Sequence, residues 1–321
     1  MQLLVGVLRR SGLLAAIILA VALAWPASRA TAKDHVLRIG VQKYGTLVIV
    51  RQQPTLEAIL KPLGWSVTWT EFPGGPQLLE ALNVGALDFG ITGEAPPVFA
   101  QAAGAPLAYV GVEPPAPAGE AILVPQDSPI HSLADLRSKR VALNKGSNVH
   151  FLLVQALAAA KLTPADIQPV YLAPADARAA FEQGAVDAWV IWDPFYAAAQ
   201  AATHARVLTD ATGLAPNRQF FLATREFADA NPALVKTLLE QIHATDLWAQ
   251  AHQAEVAKLL APSLNLPLPV LATALARMGY GATPMTRDAA ADQQRIADTF
   301  HSLKLIPVPV DVSSAVWSPP S

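Results

Sequence analysis

The sequence predicts an α/β protein of two lobes, the second inserted into the first. From residue 36 to about 210, short apolar runs alternate with helical patterns, the rhythm of a mostly parallel sheet with helices on both sides. Three prolines between Glu113 and Gly119 interrupt that rhythm, and a second βα series follows them. Beyond Asp210 one more strand-like run leads into a largely helical remainder. The 321 residues leave room for two domains of about 100–200 residues each.

The elements follow in order. Arg9 and Arg10, the apolar run Leu13–Trp25 and the small residues up to Ala32 form a secretory signal peptide, assigned to residues 1–30. An apolar run of about 13 residues falls short of the roughly 20 that span a bilayer. The arginine pair hints at twin-arginine export, although its surroundings fit that signal poorly. In the mature chain Val36–Val41 reads as a strand and Thr46–Leu60 as a helix bent near Pro54. Trp65–Glu71 alternates with period two and sets Trp65, Val67 and Trp69 on one face. A helix Pro76–Val84, a strand Asp88–Ile91, a helix Pro97–Ala103 and a strand Leu107–Val112 complete the first series. The second runs through strands Ala121–Val124, Val141–Leu143, Gln168–Leu172 and Ala188–Ile191, with helices near Asn148–Ala160 and from Ala175. The helix starts near Thr46 and Asn148 hold comparable places, without a sequence repeat behind them. Gln219–Ala223 is the last strand, before helices Pro232–Ala249, Gln253–Leu260, Leu268–Met278 and Arg287–Phe300 and an extended proline-bearing tail. The lobes are assigned as 33–115 for the first, 116–212 for the second and 213–321 for the return to the first, with a cleft between them.

Composition excludes several functions. With 52% hydrophobic and 15% charged residues the chain carries a large core, so disorder is excluded. The absence of cysteine removes disulfides, thiol nucleophiles, cysteine-bound zinc and a lipid anchor on an N-terminal cysteine. The net charge of −2, or −5 once residues 1–30 and their three arginines are removed, offers no field for nucleic acid. Enzyme signatures are thin. Ser147 stands near His150 without an orienting acid, no metal-binding histidine pair appears, and Gly146-Ser147 lacks the rest of a phosphate loop. Catalysis, metal and cofactor are not expected.

Chemistry gathers in three turns that follow strands, where open α/β sheets bind ligands. They are Gln42-Lys43-Tyr44-Gly45, Thr92-Gly93-Glu94-Ala95-Pro96-Pro97 and Asn144-Lys145-Gly146-Ser147-Asn148. Each leads into a helix whose first N–H groups point at the space before it, a setting for an anion. One such turn alone is explained by an ordinary cap; three converging on one cleft favour a site. A helix start contributes about 0.3–1 kcal/mol to a bound anion, up to ~2 when partly buried. Each hydrogen bond to a charged group adds roughly 1.5–3 kcal/mol. Several together reach micromolar binding, about −8 kcal/mol. Trp192, at the end of the strand Ala188–Ile191, serves equally well as cleft wall or core, whereas Asp193 before Pro194 reads as a helix cap.

These strings also carry a family resemblance. Leu37 to Lys43, Phe72 to Gly85, Gln101 to Ala105, Tyr109 to Pro115, Thr163 to Pro169, Pro174 to Phe181, Val186 to Trp189 and Ile191 to Pro194 occur in family order. Together they resemble the aliphatic sulfonate-binding proteins of ABC importers over nearly all of the mature chain. The resemblance implies a type II periplasmic binding protein fold with a two-segment hinge. It implies a periplasmic receptor that delivers an alkanesulfonate to a membrane permease and its ATPase for sulfur acquisition. With no later apolar run long enough to span a bilayer and no cysteine to lipidate, the mature chain is expected to be soluble, and it is expected to be a monomer. It places Gln42, Thr92, Ser147 and Asn148 as donors to the sulfonate, Gly93 as an N–H donor and Trp192 on the alkyl chain, with Gly75, Glu94 and His150 nearby. Tyr44 replaces the family's usual glycine, Glu94 its usual Asp and Asn144 its usual Gln, so ligand length and shape stay open. Alternatives are a receptor for taurine, an aromatic sulfonate or sulfate ester, or nitrate. An exported enzyme on the same architecture is a further class. A sensory domain would need an output segment that the sequence lacks.

Overall fold

The computed structural model describes residues 35–319; the signal-peptide assignment lies outside them. Residues from Val36 onward form one compact unit. Its chain runs β1 (His35–Val41), α1 (Thr46–Gln52), α2 (Thr55–Leu60), β2 (Trp65–Glu71), α3 (Gly75–Asn83), β3 (Phe89–Gly93), α4 (Ala95–Ala102) and β4 (Leu107–Val112). After the proline-rich crossing come β5 (Glu120–Val124), β6 (Arg140–Leu143), α5 (Asn148–Ala159), β7 (Gln168–Tyr171), α6 (Pro174–Glu182), β8 (Ala188–Trp192), α7 (Phe195–Thr203) and β9 (Arg206–Asp210). The chain returns through β10 (Gln219–Thr224), α8 (Arg225–Ala230), α9 (Pro232–Ala251), α10 (Gln253–Leu264), α11 (Leu268–Ala276), β11 (Thr283–Pro284) and α12 (Arg287–Ser302).

Two sheets result, ordered β11-β4-β10-β3-β1-β2 and β7-β6-β8-β5-β9, each the centre of one lobe. The expectation of mostly parallel sheets is corrected. β1–β3, β6–β7 and β6–β8 are parallel, but β10 runs antiparallel between β3 and β4, and β5 antiparallel between β8 and β9. The two strands that break the rule, β5 and β10, are each the first after a crossing between lobes, so they meet their sheet from the opposite end. Between the sheets run two crossing segments bonded to each other: Glu113 N–H to Gln219 O at 2.9 Å, Ala116 N–H to Pro216 O at 3.0 Å and Ala211 N–H to Pro117 O at 3.2 Å.

Local chemistry explains the breaks. The predicted single helix over 46–60 is two, because Pro54 has no N–H and holds Gln53 extended (φ −107°, ψ 133°). Trp65, Val67 and Trp69 pack together against the first lobe's core, as the alternation predicts. A sequence repeat, unforeseen from the sequence, also joins the lobes. Gly85-Ala86-Leu87-Asp88 before β3 corresponds to Gly184-Ala185-Val186-Asp187 before β8. Both glycines end a helix at positive φ (71° and 69°), where a side chain would be strained. Both aspartates accept the main-chain N–H of an arginine on the neighbouring strand at 2.8 Å and pair with its guanidinium: Asp88 with Arg38, Asp187 with Arg140. Each lobe therefore aims the far ends of its parallel strands, and the turns after them, by the same device.

The C-terminal helices serve both lobes. α10 and α11 pack on Val48 and Ile49 of α1, while Val270 and Ala274 of α11 rest on Ala197 and Ala198 of α7.

Candidate functional site

The helix starts converge between the sheets. Gly75 opens α3 so close to the β3–α4 turn that a Cβ there would lie 2.6 Å from Pro96 Cγ and 3.1 Å from Thr92 Cβ. At Gly93 a Cβ would lie 2.9 Å from Cβ of Asn148, the first residue of α5 in the other lobe. One at Gly74 would touch the Asn144 amide at 3.6 Å. Neither α3 nor α5 is capped by a side chain, so the first-turn N–H groups of both, less the one that Pro76 lacks in α3, face the shared space.

The other two starts differ. At α1 the Thr46 N–H and hydroxyl both go to Glu113, with Thr46 Oγ1 2.7 Å from Glu113 Oε1 and also hydrogen-bonded to Asp246. One hydroxyl hydrogen cannot serve two carboxylates, so one of these acids carries a proton. That agrees with the upward pull of burial on both, followed at Glu113 by the charge of Asp246. At α4, Pro96 and Pro97 remove two of the donors a helix start normally offers.

The predicted site residues are all buried. Gln42 Nε2 donates to Ile91 O at 2.9 Å, which leaves its second amide hydrogen. Thr92 Oγ1 donates to Gly93 O at 3.0 Å, and Ser147 Oγ to Asn144 O at 2.7 Å. Asn148 Nδ2 spends both hydrogens inside the protein, on Glu120 Oε2 at 2.5 Å and Asn217 Oδ1 at 3.0 Å. His150 accepts the Gly146 N–H on Nδ1 at 3.3 Å and stacks on Phe99. Its burial, and behind that the charge of Lys145, lowers its pKa to about 4, so it stands as a neutral aromatic spacer. Trp192 ends β8 with its ring edge-on to Phe195. Asp193 acts at the start of α7, accepting the Ala197 N–H at 3.0 Å.

Acidic groups complete the picture, and Glu120 among them was missed from sequence. It opens an otherwise apolar strand, Glu120-Ala121-Ile122-Leu123-Val124, fully buried and directly opposite Trp192 in the β5–β8 register. A lone acid in such a run was the available signal. Glu94 accepts the N–H of Arg218 at 3.0 Å. Burial above all raises its pKa to about 8. Burial, then the charge of Glu94, pushes Glu120 well above the usual carboxylate range. Asp193 is raised to about 6 by burial, against the pull of Arg277 at 3.4 Å.

Two α/β lobes joined by paired crossings, with bare helix starts meeting between them, define a solute-binding protein of the periplasmic type. The comparisons agree. The family model described as NMT1/THI5 like matches residues 64–256. A relative from Escherichia coli K12, named as an aliphatic sulfonates-binding protein, is 46% identical over 90% of this chain and 91% of its own. The crystal structure of a periplasmic aliphatic sulphonate binding protein from Escherichia coli covers 89% of this chain and 93% of its own at 46% identity, with a TM-score of 0.81. An alkanesulfonate-binding protein from Xanthomonas axonopodis pv. citri, bound to MOPS, covers 89% and 99% at 44% identity, with a TM-score of 0.85. The chain belongs to the aliphatic sulfonate-binding protein family of ABC importers, within the NMT1/THI5-like group.

Proposed function

We propose that this chain is the periplasmic receptor of an ABC importer for aliphatic sulfonates. The observation that carries the reading is the meeting of two uncapped helix starts, α3 from one lobe and α5 from the other, on one buried space. A sulfonate is a permanent monoanion, so it needs donors and no proton switch. The head group is taken by the free N–H groups of these helices, by the second amide hydrogen of Gln42 and by the Gly93 N–H; the Thr92 and Ser147 hydroxyls turn onto it from Gly93 O and Asn144 O, and Asn148 gives its main-chain N–H because its side chain is engaged. Trp192 packs on the alkyl chain; Gly75, Glu94 and His150 shape the surround. The lobes divide as 33–115, 116–212 and 213–321. The protein is exported behind residues 1–30, works as a soluble monomer without a lipid anchor, and docks on an inner-membrane permease with its ATPase.

The 46% identity to a relative named for this ligand class supports the reading over an exported enzyme. Thermal melts with methyl- to octylsulfonate test it, since a ligand of the folded form raises the melting temperature. Stabilisation by alkanesulfonates is expected. Stabilisation only by nitrate, or release of sulfite from the sulfonate, would overturn it.

A further inference from the structure

Arg277 follows α11 in the return segment, and its guanidinium is spent on the other lobe. The segment itself is tied to the first lobe: α10 and α11 pack on α1, and Asp246 of α9 accepts the N–H groups of Gly281 at 3.1 Å and Ala282 at 2.8 Å. From there Arg277 sets its guanidinium carbon 3.9 Å from the centre of the Tyr196 ring. Nη2 donates to Gln200 Oε1 at 2.9 Å, and Nη1 reaches Asp193 Oδ2 at 3.4 Å. These partners lie on α7 or in the turn that opens it. Val270 and Ala274 of α11 continue the contact on Ala197 and Ala198. Asp193 is wholly buried, and among the described residues Arg277 is its only ion-pair partner. It directly follows Trp192, and its N–H bonds to Gly119 O of the crossing at 2.9 Å. The main chain after Arg277 rests on the same crossing and is not free to follow α7: a Cβ on Gly279 would lie 2.5 Å from Pro114 O. The lobes are together in this structure, since Gly93 leaves no room for a Cβ beside Asn148, so the grip belongs to the shut arrangement.

We propose that Arg277 is a clasp on the shut form, a positioning residue that ties the first lobe to the end of β8 and sets what fraction of empty receptors rests shut. The inference rests on the reading above of a receptor that closes on its ligand, and adds a residue that acts through Asp193, Tyr196 and Gln200 rather than on the ligand. Opening the cleft carries α7 away while the Arg277 main chain stays on the crossing. The ion pair, the amide bond and the ring contact then part together. Asp193 is left as a buried carboxylate without its counterion, which is costly, and the guanidinium loses the ring face that attracts it. Each loss falls on the open form alone. The clasp therefore raises the shut population before any ligand arrives, and a ligand that needs the shut form binds more tightly in proportion to that population.

The test places one dye on each lobe, at Val84→Cys and Ala175→Cys, exposed positions in a chain with no cysteine of its own. Single-molecule energy transfer reads the lobe-to-lobe distance, and titration calorimetry gives Kd for butane-1-sulfonate. Arg277→Met, which keeps the apolar stem and removes the charge, should move the ligand-free distances towards the open value. It should also raise Kd by about tenfold, the loss of roughly one charge-assisted bond. Arg277→Lys keeps the charge without the planar stack and should recover part of both effects. Gln200→Ala should move both in the same direction by less, and should add little on top of Arg277→Met, because the bond it removes is already gone. An arginine that only supports the fold would lower the melting temperature and leave distances and Kd unchanged; that result for Arg277→Met would overturn the inference. Should Arg277→Met not fold, Gln200→Ala decides by the same two readouts. The ligand-free distances need no sulfonate, so failure of butane-1-sulfonate to bind the wild type counts against the sulfonate reading, while the clasp stands or falls on the distances.

Discussion

Gly93→Ala separates a closing cleft from a rigid one. The added Cβ falls 2.9 Å from Cβ, Cγ and Oδ1 of Asn148. Non-bonded carbons settle at about 3.5–4.0 Å, so the two residues must part by roughly 0.6–1.1 Å. Asn148 Cβ cannot swing away, because it is fixed to the first turn of α5. Overpacking of this kind costs about 1–3 kcal/mol, equivalent to an affinity loss of about 5- to 150-fold. Gly93 and Asn148 belong to opposite lobes, so opening the cleft relieves the contact and the cost falls on ligand binding. Calorimetric titration should therefore show a weaker Kd, while the melting temperature of the unliganded protein hardly moves. Gly75→Ala is the control, because its clash with Pro96 Cγ at 2.6 Å lies within one lobe. That variant should melt lower, by about 2–4 °C for each kcal/mol. A lowered melting temperature for Gly93→Ala with unchanged Kd would refute the assignment of this contact to closure.

Three further outcomes are expected. Trp192→Ala should penalise long alkyl chains more than short ones, at about 0.8 kcal/mol per methylene left uncovered; equal losses in titrations from methyl- to octylsulfonate would remove Trp192 from the tail site. Thr92→Ala and Ser147→Ala should weaken all chain lengths by a similar factor in the same titrations, and a chain-length-dependent loss would contradict their place at the head group. Burial lets Glu94 hold its proton to about pH 8 in the folded state against 4.5 for a free glutamate, so the folded state binds more protons across this window and stability falls as pH rises. Each such proton contributes a slope of about −1.4 kcal/mol per pH unit, and Glu94→Gln should flatten urea-unfolding free energies between pH 5 and 8 by up to that amount; an unaltered slope would show that Glu94 is charged in the fold.

What the sequence disclosed depended on whether a feature is local. β1, β2 and β4 stand out as apolar or alternating runs, and Pro54 marks the break between α1 and α2 by its own chemistry. The edge strand β9, Arg-Val-Leu-Thr-Asp, went unseen because every residue is half-buried and no face is apolar. The direction of β10 was hidden because it depends on the side from which the chain re-enters its sheet. Among site residues, the turns after β1, β3 and β6 were legible as strand-to-helix junctions. The commitments of their side chains were not: Asn148 turns its amide to Glu120 and Asn217, partners 28 and 69 residues away in sequence. The repeat of Gly85–Asp88 at Gly184–Asp187 rests on three identical residues, too few to notice until both aspartates are seen gripping an arginine one strand over.

The unequal helix starts explain how a chain of net charge −5 after removal of residues 1–30 can hold an anion. A diffuse field from such a protein repels the ligand and is screened within about 8–10 Å in salt, so attraction must arise from donors at contact. Of the four starts in the cleft region, α1 already holds the Glu113 carboxyl and α4 is depleted by two prolines. That leaves α3, anchored to the first sheet, and α5, anchored to the second. Either alone contributes only about 0.3–1 kcal/mol, up to ~2 when partly buried, too little to retain a small solute. On the proposed reading the two act together, which requires both lobes to sit on the same head group, so the affinity exists only in the shut form. A permease that distinguishes the shut form from the open one thereby distinguishes loaded receptor from empty.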